Sequence, residues 1–360
     1  MNFDFFDRTY LEWIVPAIYF LAVLIELFYQ LFFYIRLLAL KKSAETTLEK
    51  PISVCLCVRN EEDRIDQVIS QILDQEYANF ELIVVDDFSE DCTLQKIGQW
   101  AKMDARVKFT SMSQETRFSE KMAINLALKA ASLEQVVFIH ADTVQFQPQY
   151  LKKINQETDA GRLTLNYSND QIAPTFYSKV CRIERFLLFL KSAAYSSKGL
   201  PLFFEENNVL FPRDIYFQSE GFRGKMNNHF ANLELVFNEK AKGKMNISLE
   251  PETIVREDSQ VEKRHYEELM HKQIRIKQLL KLGKRLVLTI ENYARILFLA
   301  GLIGLLATEP QAWLFILLPA LIVLGLQFFV IKSMAARLNE EKIFLSSFVY
   351  VFVRPLLQIY

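Results

Sequence analysis

Residues 313–331 form a run of nineteen side chains near the end of the chain without one charge. A helix of that length and character crosses about 30 Å of hydrocarbon, and few soluble folds can bury it. A comparable run, 13–35, is interrupted only by Glu26. A buried carboxylate is costly in lipid, so Glu26 should face a partner helix or lie near a membrane surface. A signal peptide fits poorly: Asp4, Asp7 and Glu12 precede the run where a basic region would be needed, and no small-residue cleavage site follows. Residues 296–307 are also uncharged, with Glu291 and Arg295 one helical turn apart just before them. Thr308, Glu309 and Pro310 separate this stretch from 313–331, which reads as a helical hairpin. Pro319 inside the second arm is tolerable in a membrane helix. A last apolar run, 343–353, is too short to span and suits either the interface or a truncated further helix.

Lys and Arg set orientation. Lys41 and Lys42 follow the first run, and Lys332, Arg337 and Lys342 follow the third, while the hairpin turn has neither residue type. The region between Lys41 and about Arg285 should therefore be cytoplasmic, with the N-terminus outside. With 42 Lys+Arg against 43 Asp+Glu the net charge is -1, so no global attraction to nucleic acid is expected. The four cysteines form no C-x-x-C pair, which disfavours a disulfide framework or zinc site and favours a reducing compartment.

Between these runs the pattern changes. ISVCLCV (52–58), FELIVVD (80–86), a weaker 107–110 and QVVFIH (135–140) read as short buried strands. Helical spacing occupies 64–75, 91–103 and 119–131. Continuous apolar strands alternating with helices mean an α/β fold with a parallel sheet covered on both faces. Ligands bind such sheets outside the carboxyl ends of the strands. Those ends are polar here: Arg59-Asn60-Glu61-Glu62, then Asp86-Asp87-Phe88-Ser89-Glu90-Asp91, then His140-Ala141-Asp142-Thr143. Helix capping accounts for any one cluster, but one cap per turn would suffice and three clusters share an edge. No G-x-G-x-x-G or G-x-x-x-x-G-K-[ST] occurs near a strand end. Acidic strand ends without a glycine cradle suit a carboxylate that holds Mg²⁺ or Mn²⁺, the metal in turn holding a diphosphate. Asp142, directly after a buried strand, is the natural ligand.

At VCLCVRNEEDRI, DQEYANFELIVVDDFSEDCT, SEKMAINLALKAA and HADTVQFQPQYL the chain resembles the family 2 glycosyltransferases of the nucleotide-sugar-binding GT-A fold, and most of all their bacterial membrane-anchored members. The resemblance implies that Arg59, Asn60 and Glu61 line the nucleotide pocket and that Asp86 and Asp87 meet base and ribose. It places Lys121 near the nucleotide-sugar and matches Asp142 to the last Asp of the metal-binding D-x-D. His140 stands where that motif begins with Asp; imidazole ligates Mn²⁺ but is a poor Mg²⁺ ligand, so Mn²⁺ is preferred over Mg²⁺. Where the family carries an acidic pair supplying the catalytic base, this chain has Asn232-Leu233-Glu234, leaving Glu234 as candidate. Where processive members carry Q-x-x-R-W, Lys272-Gln273-Ile274-Arg275-Ile276 lacks the tryptophan, which argues against polymer synthesis.

The implied organisation is an N-terminal anchor helix (1–45), a cytoplasmic GT-A-like domain (46–260), an amphipathic interfacial helix (261–285) and C-terminal membrane helices (286–360). For the amphipathic segment, a solvated helix packed on the domain is an equal alternative. The implied function is an inverting glycosyltransferase of the bacterial inner membrane. Its partners would be a nucleotide-diphospho-sugar donor, a lipid-linked or glycan acceptor and membrane lipid, with no nucleic acid. The rival from a different class is a catalytically silent relative that binds a nucleotide-sugar or acts as a membrane scaffold.

Overall fold

The computed structural model describes residues 13–40, 50–156, 162–241, 243, 245–258 and 261–357, apart from the side chain of Ser119. Asp4, Asp7 and Glu12, used above against a signal peptide, and Lys41 and Lys42, used for orientation, lie outside the described residues. The chain divides into two compact units. Met1–Ala39, Lys277–Ala336 and Glu340–Tyr360 form one; Leu40–Ile276 with Arg337–Asn339 forms the other.

The chain opens with α1 (Ile14–Tyr29), a π-helical turn (Gln30–Tyr34) and α2 (Ile35–Leu38), which run on as one helix. The mixed unit follows. Its first half is β1 (Ile52–Val58), α3 (Ile65–Leu73), β2 (Phe80–Asp86), α4 (Thr93–Met103), β3 (Val107–Ser111), α5 (Ser119–Ala130) and β4 (Gln135–His140). These are the strands and helices that the apolar periodicity predicts. β1 pairs in parallel with β2 and with β4, and β2 with β3. Ile52, Val54 and Leu56 of β1 pack with Leu82 and Val84 of β2 and with Ile65, Val68, Ile69 and Ile72 on one face of α3. The register sets Val58 opposite Asp86 and Cys57 opposite His140, so the three polar strand ends share one edge.

The second half is mixed rather than parallel. β5 (Thr143–Gln145), α6 (Tyr150–Gln156), β6 (Thr164–Leu165), β7 (Ser168–Asp170), α7 (Phe176–Ser197), β8 (Val209–Pro212), α8 (Arg213–Gln218), α9 (Leu233–Lys240), β9 (Asn246–Ile247), β10 (Val255–Glu257) and α10 (Lys263–Leu279) complete it. The main sheet runs β3-β2-β1-β4-β8-β6-β9, with β8 antiparallel to β4 and to β6. A small sheet, β5-β10-β7, stands beside it. An antiparallel β8 presents its amino end at the edge where β4 presents its carboxyl end. Asn208 makes this turn with φ 63°. Its side chain is fully engaged, accepting from the Tyr150 hydroxyl at 2.8 Å and donating to the Tyr167 and Thr253 carbonyls at 2.9 Å each.

The helical unit closes with α11 (Leu282–Thr308), α12 (Trp313–Arg337) and α13 (Phe344–Leu357). Three helices, Ile14–Leu38, Leu282–Thr308 and Pro310–Arg337, are long and apolar enough to cross a membrane. The run at 343–353 forms the shorter α13, with Phe348 edge-on to Phe328 of α12. α1 packs along α11. Glu26 meets Arg295 at 3.4 Å, and Arg295 also reaches Glu291 at 3.4 Å. The Tyr34 hydroxyl donates to Glu291 at 2.6 Å, and Gln30 hydrogen-bonds Gln327 of α12. Glu26, Gln30, Tyr34, Glu291, Arg295 and Gln327 thus each find a partner on a neighbouring helix, as an apolar interior demands.

Close approach of α1 and α11 depends on Gly301. A Cβ there would lie 2.9 Å from the Tyr19 Cβ, whereas one at Gly304 would meet nothing within 4 Å. Gly301→Val should cost about 1–3 kcal/mol, the usual range for overpacking. Thermal unfolding in detergent checks this: the midpoint should drop for Gly301→Val and not for Gly304→Val.

Candidate functional site

Two cavities open at the polar edge. The first, about 650 Å³, is lined among others by Cys57, Arg59, Glu61, Asp87, Glu115, Glu120, His140 and Glu206. The second, about 630 Å³, is lined by His140, Asp142, Arg185, Glu205, Glu257 and a face of α10 carrying His265, Leu269, His271, Lys272 and Arg275. Glu120 and His140 belong to both. With His229, all four histidines of the chain line the second cavity.

The strand-end residues divide by role. Arg59, Glu61 and Asp87 face the first cavity. Arg59 pairs with Glu115 at 2.7 Å, and the Asp87 amide is fixed by the Val58 carbonyl at 2.8 Å. Burial raises the Glu61 pKa against the opposing charge of Arg64. Asn60 and Asp86 instead hold backbone. Asn60, at φ 54°, donates its amide to the Ser89 hydroxyl at 2.9 Å and accepts from the Glu90 amide at 2.8 Å. Asp86 is buried and accepts from the Ser89 amide at 3.2 Å. Neither lines the first cavity.

Lys121, expected near the nucleotide-sugar, does not line the first cavity. It is buried on α5, and its ammonium donates to the carbonyls of Asn228 (2.9 Å) and Ala231 (2.6 Å) and to Asn232 Oδ1 (2.9 Å). Three acceptors from the loop before α9 draw it inward, and burial lowers its pKa.

His140 and Asp142 do come together, with a third group that the sequence did not single out. Ligand atoms of His140, Asp142 and Glu257 all lie within 4.8 Å of one another. Glu257 arrives on β10, which pairs with β5 so that Glu257 sits opposite Thr143, and the Asp258 amide donates to the Asp142 carbonyl at 2.8 Å. Arg185 holds Glu257 at 2.7 Å and Asn207 hydrogen-bonds it. Burial disfavours the Glu257 carboxylate, but the charges of Arg185 and His140 outweigh it and hold the pKa at about 2. Burial and the Glu257 charge push Asp142 up to about 6. Burial opposes a charged His140, yet Glu257 and Asp142 outweigh it and its pKa is raised. The set fits a divalent cation: two carboxylates and an imidazole, with Asp142 Oδ1 buried and without a hydrogen-bond partner among the described residues.

Glu234 is fully buried in the first turn of α9 and lines neither cavity. One oxygen accepts from the Asn232 amide at 2.8 Å, and the other is 2.5 Å from the ammonium of Lys272 on α10. Burial would raise its pKa, but the Lys272 charge and hydrogen bond lower it. Glu206 sits in the loop ahead of β8, accepting from Asn232 Nδ2 at 3.0 Å and from the Leu233 amide at 2.7 Å. Burial and the nearby Glu234 charge push it up to about 8. The sequence signal for this loop was the polar run Glu205-Glu206-Asn207-Asn208 directly before an apolar strand.

A mostly parallel sheet whose acidic strand ends meet a second, small sheet is the architecture of the GT-A glycosyltransferases. Over 94% of this chain and 98% of its own, the fold matches that of the mannosyltransferase PcManGT from Pyrobaculum calidifontis, solved with GDP-Man and Mn2+, at a TM-score of 0.57 and 19% identity. Residues 53–216 match the family model described as glycosyl transferase family 2, and the chain carries a glycosyltransferase domain of that family. Poly-beta-1,6-N-acetyl-D-glucosamine synthase of Staphylococcus epidermidis is 32% identical over 145 residues, 40% of this chain and 32% of that protein. The Escherichia coli protein named UDP-Glc:alpha-D-GlcNAc-diphosphoundecaprenol beta-1,3-glucosyltransferase WfgD is 36% identical over 93 residues, 26% of this chain and 35% of that protein. The chain thus spans about a third of the length of these curated relatives.

The raised Glu206 pKa has a consequence for stability. The folded chain holds this proton more tightly than the unfolded chain, whose value is 4.5. Stability from this group is therefore fully present below about pH 4.5 and is lost as pH rises towards about 8. Glu206→Gln removes the dependence, so the variant should gain on the wild type across that window. Thermal midpoints measured from pH 5 to 8 check the slope; parallel curves would mean that the carboxyl is not held protonated.

Proposed function

We propose that this chain is an inverting glycosyltransferase that moves a sugar from a nucleotide-diphospho-sugar to a lipid-linked or glycan acceptor. The observation that carries the reading is the shared edge: Arg59, Glu61 and Asp87 face one cavity, and His140, Asp142 and Glu257 stand where it meets the next. The first cavity receives the nucleotide, with Asp87 meeting base or ribose and Arg59 and Glu61 beside it. His140, Asp142 and Glu257 hold the divalent ion, Mn²⁺ in preference to Mg²⁺ because imidazole suits the softer ion. When bound, that ion neutralises charge on the departing diphosphate. The second cavity, walled by α10, receives the acceptor.

Support also comes from the relatives. The Pyrobaculum protein was solved with GDP-Man and Mn2+, and the names of the bacterial relatives specify a poly-N-acetylglucosamine product and a diphosphoundecaprenol acceptor. In this reading 1–45 and 286–360 anchor the protein in the bacterial inner membrane. Residues 46–260 work at its cytoplasmic face, and 261–285 lie against lipid. One observation favours the silent alternative: Asn232, and not a carboxylate, stands just before the first residue of α9. Release of nucleoside diphosphate from GDP-mannose, UDP-glucose and UDP-N-acetylglucosamine in Mn²⁺ decides between the two, and no release from any donor would sink the enzyme reading.

Asp87→Ala should weaken nucleoside diphosphate binding by about 1–3 kcal/mol, roughly fivefold to 150-fold. Glu257→Gln should weaken Mn²⁺ binding, followed by electron paramagnetic resonance of the free ion, without unfolding the protein. Unchanged Mn²⁺ affinity in a folded Glu257→Gln protein would remove Glu257 from the metal set.

A further inference from the structure

Resting on the glycosyltransferase reading, we infer that Glu206 takes the proton from the acceptor hydroxyl. The transfer needs one proton acceptor open to the reacting groups. As the hydroxyl oxygen bonds to the anomeric carbon, the bond from that carbon to the diphosphate breaks. Its electron pair leaves with the diphosphate oxygen, and the hydroxyl proton passes to a carboxylate. No other reactant is required.

The carboxylates near the start of α9 differ in access. Glu234 is sealed from both cavities and its charge is spent on Lys272 at 2.5 Å. Glu205 turns to Arg185 at 3.4 Å. Glu206 lines the first cavity together with Asp87 and with His140, which also lines the second. Two donors from the start of α9, Asn232 Nδ2 and the Leu233 amide, fix its rotamer. Glu206 acts in its ionised form, in which each donor occupies one lone-pair direction of an oxygen and leaves another free to accept a proton. Glu120 also lines both cavities, but it is exposed and makes no hydrogen bond among the described residues that would hold it in place.

Asn232 supplies a test that a merely structural role could not pass. Its Nδ2 lies 3.0 Å from Glu206 Oε1, so an aspartate there would set a carboxylate within about one hydrogen bond of the same point. The assay is release of GDP from GDP-mannose in Mn²⁺ by the full chain in detergent, with water as acceptor. Glu206→Gln should lower turnover by 10²–10⁴-fold, the usual contribution of a positioned acid or base, with GDP affinity changed less than about threefold. Adding Asn232→Asp to Glu206→Gln should recover at least tenfold of the loss. Glu206→Gln turnover within threefold of the wild type would overturn the assignment while leaving the enzyme reading intact. So would a loss found only in Glu234→Gln or Glu120→Gln, or a Glu206→Gln loss without recovery in the double variant. A wild type that releases no GDP from GDP-mannose, and no diphosphate from the UDP-sugars, would instead end the glycosyltransferase reading and this assignment with it.

Discussion

Arg185 sits midway along α7 with its guanidinium buried, 2.6 Å from Asp170, 2.7 Å from Glu257 and 3.4 Å from Glu205. A single buried cation of this kind costs several kcal/mol unless its partners are well placed. Here they come from the ends of β7 and β10 and from the loop before β8, so the ion cluster fixes three separate pieces of backbone at once. It also governs the chemistry of the edge. Because Arg185 keeps Glu257 ionised, the Glu257 charge bears on Asp142 and His140 and raises the proton affinity of both. Glu257 therefore stays ionised beside an imidazole and a second carboxyl, all within 4.8 Å, that both hold protons more tightly than usual.

How far the sequence reaches follows from how each element closes. The parallel half was legible because β1, β2 and β4 are buried on both faces and their apolar runs stand out from the helices between them. β5, β7 and β10 are three residues each and β6 and β9 only two, too short for periodicity to register. Their pairing is non-local: β10 finds β5 more than a hundred positions upstream. That is why His140 and Asp142 could be picked out while Glu257 could not. Glu206 was hidden for a related reason. Nothing local says that β8 runs antiparallel to β4, and that direction alone sets its leading loop beside His140, where Asn207 accepts from the His140 amide at 3.3 Å.

The question whether the acidic strand ends cap helices or face a ligand has a different answer at each position. Asn60 fastens the two loops to each other and Asp86 braces its own, and Asp87, one residue on, lines the cavity. At Lys121 its length and the three carbonyl-type oxygens around Asn232 decide its direction. Through Asn232 it supports the same cap that grips Glu206, so it bears on the site at one remove.

The π turn at Gln30–Tyr34 holds five residues where an α-helix of the same rise would fit fewer. The extra residue is taken up by widening the turn, so the helix on either side faces nearly as it would in an uninterrupted α-helix one residue shorter. Gln30 meets Gln327 and Tyr34 meets Glu291 from the two ends of that wide turn. Losing one residue from the α-helical stretch before it would swing everything beyond by about 100°, whereas losing one inside the turn would restore α winding with both ends nearly in place. The helix thus holds one place where its length can change without changing which face its neighbours meet.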